Sequence, residues 1–162
     1  MEPDNGPVGI AGWLLLPALG LIASPLMMAF GFYNDVLPAL TPEVWNALTD
    51  AHSTAYNPMW GPLIVYEVLV NIALFIFTLW LLWIFFSKST RAPKLIVIWL
   101  AAIAGTQIVD YLLSSQIPAM AEKPPDAAGV SALVRSLVGA AIWIPYFRMS
   151  KRVKNTFNEP VS

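Results

Sequence analysis

The sequence predicts an all-α integral membrane fold: a bundle of four transmembrane helices with a short interfacial helix in the first outer loop. Three observations predict it. Hydrophobic residues make up 57% of the 162 residues and charged residues 12%, against about 25% charged in an ordinary soluble domain. Four apolar runs, at about residues 10–32, 63–86, 95–117 and 130–147, each approach the ~20 helical residues that cross a hydrocarbon core of about 30 Å. The charges between the runs are sorted by sign. The chain therefore reads as a single four-span membrane domain, 1–162, ending in a basic tail, 148–162.

The first run opens with "GIAGWLLLPALGLIASP". Glu2 and Asp4 precede it, no Lys or Arg does, and no small-residue cleavage site follows, so it is expected to be a retained span and not a signal peptide. "GIAGW" reads as a close-packed start with Trp13 at the interface, and Pro17 and Pro25 are expected to kink the span. In the loop 33–61, "TPEVWNALTDA" predicts a short helix. Thr41 can cap it, Pro42 suits its first turn, and Glu43 favours the positive helix end. Val44, Trp45 and Leu48 then share one side, which suits the membrane interface. "AYNPMWGP" leads through Pro58 and Pro62 into the second span.

Basic residues set the orientation. "SKSTRAPK" between spans two and three carries Lys88, Arg91 and Lys94, and the tail carries Arg148, Lys151, Arg152 and Lys154. The loops 33–61 and 118–129 hold Lys123 as their sole Lys or Arg, beside Asp35, Glu43, Asp50, Glu122 and Asp126. With four alternating spans, the basic loop and tail fall on one side. That side is expected to be the cytoplasm, with both termini there. Arg148, Lys151, Arg152 and Lys154 are expected to meet anionic lipid headgroups. Val153 and Phe157, at i and i+4, are expected to dip into the interface beside them.

Three ionisable residues lie inside spans: Glu67, Asp110 and Arg135. Each costs about 2.5–3.5 kcal/mol on an insertion scale, less near a span end. All three fall in the outer third to half of the bilayer, so Arg135 is expected to sit between the two carboxylates and serve both. Gln107, Asp110, Tyr111 and Ser114 share one helix face, as do Glu67, Asn71 and Thr78. On span four, Ala132, Arg135, Ser136 and Gly139 repeat the spacing, with Ser131 one turn before Arg135. These stripes are expected to turn inward. Gly20 and Ser24, Ala101 and Gly105, and Ser136 and Ala140 are expected to let helices approach closely. Charges that neutralise one another suit a clamp that fixes helix register ahead of a transport site.

Other chemistry has little to use. The chain has no cysteine, which excludes disulfides and thiolate metal sites. Its single histidine, His52, lies in an outer loop two residues after Asp50, too few ligands for a metal. No cofactor, no metal and no nucleic acid partner is expected.

The motifs "GIAGWLLLPALGLIASP", Tyr66–Glu67, "FF" before the basic loop with Pro93, Asp110, Arg135, and above all "IWIPYFRMSKRVKNTF" resemble the domain of unknown function 2569 family. The resemblance covers all four spans. It implies a small bacterial four-helix protein of the inner membrane and implies no activity. The leading expectation is a non-enzymatic accessory or scaffold protein that binds lipids and other membrane proteins, or a second copy of itself. The alternative is a small solute or proton transporter using the Glu67, Asp110 and Arg135 cluster.

Overall fold

A computed structural model of the chain describes residues 6–118 and 127–158. The acidic residues Glu122 and Asp126 and the lone Lys123 of the second acidic loop lie outside the described residues. The helices are α1 (Leu15–Gly31), α2 (Pro42–Thr49), α3 (Trp60–Phe86), α4 (Ala92–Ser114), α5 (Ala127–Met149) and α6 (Lys151–Thr156). The stretch Gly12–Leu40 around α1, and the helices α3, α4 and α5, are apolar and long enough to span a bilayer.

Span one runs further than its apolar run predicts. A 3-10 turn (Gly12–Leu14) precedes α1, and a π turn (Phe32–Val36) and a second 3-10 turn (Leu37–Leu40) continue it. The stretch Gly12–Leu40 counts 29 residues, roughly 43 Å at 1.5 Å per residue, more than the hydrocarbon core. Asp35 therefore sits on the last turns of the span and not in a loop. Pro25 lies in the helix interior, where the carbonyl of Leu21 loses its usual donor. Pro17 falls in the first turn of α1, a position that tolerates proline.

The spans pack in serial order: α1 on α3, α3 on α4, α4 on α5. The reason is visible along α3 and α4. Ile64, Glu67, Asn71, Leu74, Thr78, Leu81 and Phe85 alternate steps of three and four. So do Ala92, Ile96, Trp99, Ile103, Thr106, Asp110 and Leu113. Every one of these side chains is buried or half-buried. This is the seam spacing of antiparallel helices packed at a shallow angle.

The turn between α3 and α4 holds that register. The N–H of Lys88 donates to the Phe85 carbonyl at 3.0 Å and that of Ser89 to the Ile84 carbonyl at 3.3 Å, the bonding of a Schellman cap. Lys88 occupies its left-handed position at φ 53°, where glycine is usual. Ser89 is buried, and its Oγ accepts from the Arg91 N–H at 3.2 Å. Lys88→Gly is expected to raise stability by about 0.5–1 kcal/mol by removing the left-handed penalty of a side-chain-bearing residue. A thermal midpoint in detergent checks it.

The core lies at the basic end of the bundle. Leu14 and Leu21 of the first span, Leu81, Ile84 and Phe85 of α3, Ile96 and Trp99 of α4, and Phe147 of α5 join there. Val153 and Phe157 of the tail complete that core, at 1% and 4% exposure. This corrects the expectation that they dip into lipid: the Phe157 ring packs on Phe85, centroids 5.1 Å apart. Ser150 breaks the chain after α5, and its Oγ accepts from the Val153 N–H at 3.4 Å to start α6. The buried Thr156 then grips the N-terminal segment. Its Oγ1 accepts from the Gly9 N–H at 2.9 Å and lies 3.4 Å from the Gly9 carbonyl. Gly9 and Gly12 have φ of +89° and +56°, which glycine alone adopts freely. "GIAGW" thus makes a backbone turn that meets the tail.

The expected small-residue contacts are partly corrected. A methyl group added at Gly20, Gly105 or Gly139 would meet nothing within 4 Å. Ala101 is exposed, whereas Ala140 is buried. The first span packs instead through Leu14, Ala18 and Leu21, which leaves Gly20 on another side of the helix. At the acidic end, Thr41 occupies the N-cap position of α2, but its hydroxyl donates back to the Pro38 carbonyl at 2.9 Å and does not cap. Trp45 and Leu48 are half-buried and Val44 is exposed.

Candidate functional site

The polar residues of α3 and α4 meet across the seam. Thr78 is fully buried, and its Oγ1 accepts from the Trp99 indole N–H at 2.8 Å while 2.7 Å from the Leu74 carbonyl. Nearer the acidic end, the carboxyl groups of Glu67 and Asp110 are in hydrogen-bonding contact. Both contacts belong to one antiparallel register, which also puts Asn71 level with Thr106 and Phe85 level with Ala92. The Tyr66 hydroxyl donates to the Thr106 carbonyl at 3.0 Å, a further bond across the same seam. Glu67 and Asp110 are each half-buried, and Asp35 at the end of the first span lies within electrostatic range of Glu67.

Arg135 does not join them. It is exposed on α5 and makes no ion pair with Glu67 or Asp110. Helix geometry gives the reason. The side of α5 that is covered runs through Leu133, Ser136, Ala140, Ile144 and Phe147, all buried or half-buried. At 100° per residue Arg135 lies roughly 140° around the helix from the middle of that stripe. Val134, Val138 and Ile142 on its side are exposed at 52%, 51% and 57%. A shared depth in the bilayer is not enough for contact when a helix turns the residue away.

The supporting polar residues bond mostly within their own helices, as serine and asparagine do inside helices. Asn71 donates to the Glu67 carbonyl at 2.8 Å, Ser114 to the Tyr111 carbonyl at 3.1 Å, and Ser136 to the Leu133 carbonyl at 2.8 Å. Gln107 is half-buried, Tyr111 is 49% exposed, and Ser131 lies on the exposed side of α5. Across the α3–α4 seam, the network among the described residues therefore rests on Thr78, Trp99, Tyr66 and the carboxyl pair. Trp99 was not singled out by its spacing. The signal was available: Thr78 and Trp99 are almost equally far from the Ser87–Arg91 turn, and so are Glu67 and Asp110.

Beside the carboxyl pair, Met28, Phe32, Tyr33, Leu37, Asn71, Ile72 and Phe75 are among the residues lining a cleft of about 340 Å³ between the first span and α3. Its lining is apolar apart from Asn71 and the Tyr33 hydroxyl. In the acidic loop, Asp50 Oδ1 accepts from the His52 N–H at 2.9 Å and lies 3.1 Å from His52 Nδ1. Those bonds, the backbone one first, hold Asp50 below its usual carboxylate range. They make a local turn. Among the described residues, no three His, Cys, Asp or Glu side chains group as a metal site requires. Of the tail cations, Arg148, Lys151 and Lys154 are exposed. Arg152 is half-buried, its guanidinium 3.6 Å from where a Gly12 side chain would begin.

The sequence profile of a family described as protein of unknown function (DUF2569) matches residues 7–158. One relative is the Inner membrane protein YdgK of Escherichia coli (strain K12), 31% identical over 155 residues, which are 95% of this chain and 97% of the relative. No solved structure matches the chain.

Proposed function

Since the chain belongs to the DUF2569 family of small bacterial membrane proteins, we propose that it is a non-enzymatic accessory or scaffold protein of the inner membrane, acting by binding lipids and other membrane proteins. The observation that carries this reading is the serial packing of the spans. Each spanning helix leaves a long apolar side uncovered, with Leu19, Leu26 and Phe30 of the first span and Leu69 and Ile76 of α3 each at least 60% exposed. Such sides meet acyl chains or the helices of a partner. The cleft beside α3 is apolar, as an acyl chain or an apolar side chain requires and a hydrophilic solute does not. Within one copy, α5 points Arg135 away from Glu67 and Asp110, so the three do not line one path through a single chain.

The reading is tested by extracting the protein with its surrounding bilayer and weighing the intact particles. A fixed stoichiometry with another membrane protein supports it. Solute or proton flux in vesicles that hold this chain alone, abolished by Glu67→Gln, overturns it.

The orientation belongs to the same proposal: the Lys88, Arg91 and Lys94 loop and the tail are cytoplasmic. A reporter active only in the cytoplasm is expected to work when fused after Pro160. A reporter active only in the periplasm is expected to work when inserted after the exposed Ala55. The reverse pattern places the carboxyl pair in the cytoplasmic half of the bilayer.

A further inference from the structure

The geometry points to self-association of this protein through an ion pair inside the bilayer: Arg135 of one copy meets the Glu67 and Asp110 carboxyl pair of another. Three observations lead there. Arg135 stands among Val134, Val138 and Ile142 on a side of α5 that is exposed among the described residues. Among the described residues it is the one Lys or Arg in the half of the bundle away from the basic end. In the same half, α3 and α4 bring two carboxyl groups into contact, with Asp35 close by and, among the described residues, no Lys or Arg paired with them.

Neither feature is comfortable alone. A guanidinium at this depth in hydrocarbon needs an anion or water. Two touching carboxyl groups need a proton between them or a cation next to them. Among the described residues of each chain, the donor and the acceptor pair are therefore both unmatched, and they lie in the same part of the bilayer. Asp110, Glu67 and Arg135 are roughly 6, 10 and 12 Å below the acidic ends of their helices at 1.5 Å per residue, a spread that an arginine side chain spans. Two copies standing side by side in one membrane have the same polarity, so one copy's long arginine side chain reaches the other's carboxyl groups with little change of depth. Arginine suits this role because its planar fork bonds two carboxylates at once. The occupant is a second copy because it supplies the matching charge at the matching level. Such pairing neither requires nor excludes the accessory role, and finding another protein partner leaves the following test unchanged.

The chain has no cysteine, so single cysteines can be placed at will. Tyr111, next to Asp110, and Val134, next to Arg135, are both exposed. Two differently tagged copies, one Tyr111→Cys and one Val134→Cys, are co-expressed and treated in native membranes with a short bismaleimide. The expected result is a crosslinked pair carrying both tags. Arg135→Gln in the Val134→Cys copy is expected to lower its yield by about tenfold or more, while Arg135→Lys retains part of it. The monomer's own melting in detergent is expected to be unchanged by Arg135→Gln, since the side chain is exposed and makes no ion pair with a described residue. The double change Glu67→Gln, Asp110→Asn in the Tyr111→Cys copy is expected to lower the yield equally. A yield no higher than that of an Ile98→Cys control overturns the proposal, as does a yield indifferent to Arg135→Gln. Particles of wild-type protein in nanodiscs that weigh as single copies also overturn it, and leave Arg135 to the lipid phosphates.

Discussion

Phe157→Ala is expected to destabilise the protein by about 3–5 kcal/mol, the cost of removing a buried aromatic ring from a packed core. Phe157 is 4% exposed and packs on Phe85, which is itself fully buried. The loss therefore opens a cavity where the first span, α3, α4, α5 and the tail converge. Thermal or denaturant unfolding in detergent measures it, with no membrane surface needed. If the tail instead floated on headgroups, the same change would weaken vesicle binding and leave the melting midpoint in place. Thr156→Val is a milder companion, expected at about 1 kcal/mol, because it cuts the hydrogen bond to Gly9 and keeps the volume. It should also speed proteolysis of the segment before Gly12. A wild-type midpoint for Phe157→Ala refutes the tail as part of the core.

The second large effect is expected at Thr78. Replacing it by valine preserves shape and leaves the Trp99 indole N–H buried without its 2.8 Å acceptor. The expected loss is about 1–2 kcal/mol, since a buried donor left without an acceptor costs about 1–3 kcal/mol and interhelical bonds in membranes fall at the low end. The decisive comparison is a double-mutant cycle. In a Trp99→Phe background the indole donor is already gone, so Thr78→Val should cost close to nothing further. The difference between the two backgrounds is the coupling across the α3–α4 seam. Equal costs in both backgrounds would mean that Thr78 acts through its own helix, by its bond to the Leu74 carbonyl.

Much of the candidate site was legible. Glu67 and Asp110 stand out because charged residues inside apolar runs are costly, and the inward turn of their stripes follows from that cost. Their partnership was also within reach. A short turn joins α3 to α4, and a tight antiparallel hairpin pairs residues equally far from it. Arg135 shows the limit. Its depth follows from counting residues, but its direction depends on which side of α5 rests on α4. The apolar side chains of α5 lie nearly all round the helix, so no stripe in the sequence marks that side. Val153 and Phe157 show the same limit in another form. A pair of apolar residues at i and i+4 fits an interface and a protein core equally well, and the contact with Phe85 decides between them.

Composition and run length determined that this chain is a four-span membrane protein, because apolar surface on that scale has nowhere to go but lipid. Charge sorting determined that its two ends differ, and the cost of burying charge marked Glu67, Asp110 and Arg135. The tertiary structure decided the rest: the serial order of the spans, the tail folded back as a lid on the core, and the carboxyl pair standing apart from Arg135. The physical reason is that transfer from water to lipid is a property of each residue, readable one position at a time. Contact between helices is a property of pairs. It depends on helix rotation, which a nearly uniform apolar surface leaves unspecified until neighbouring side chains interlock.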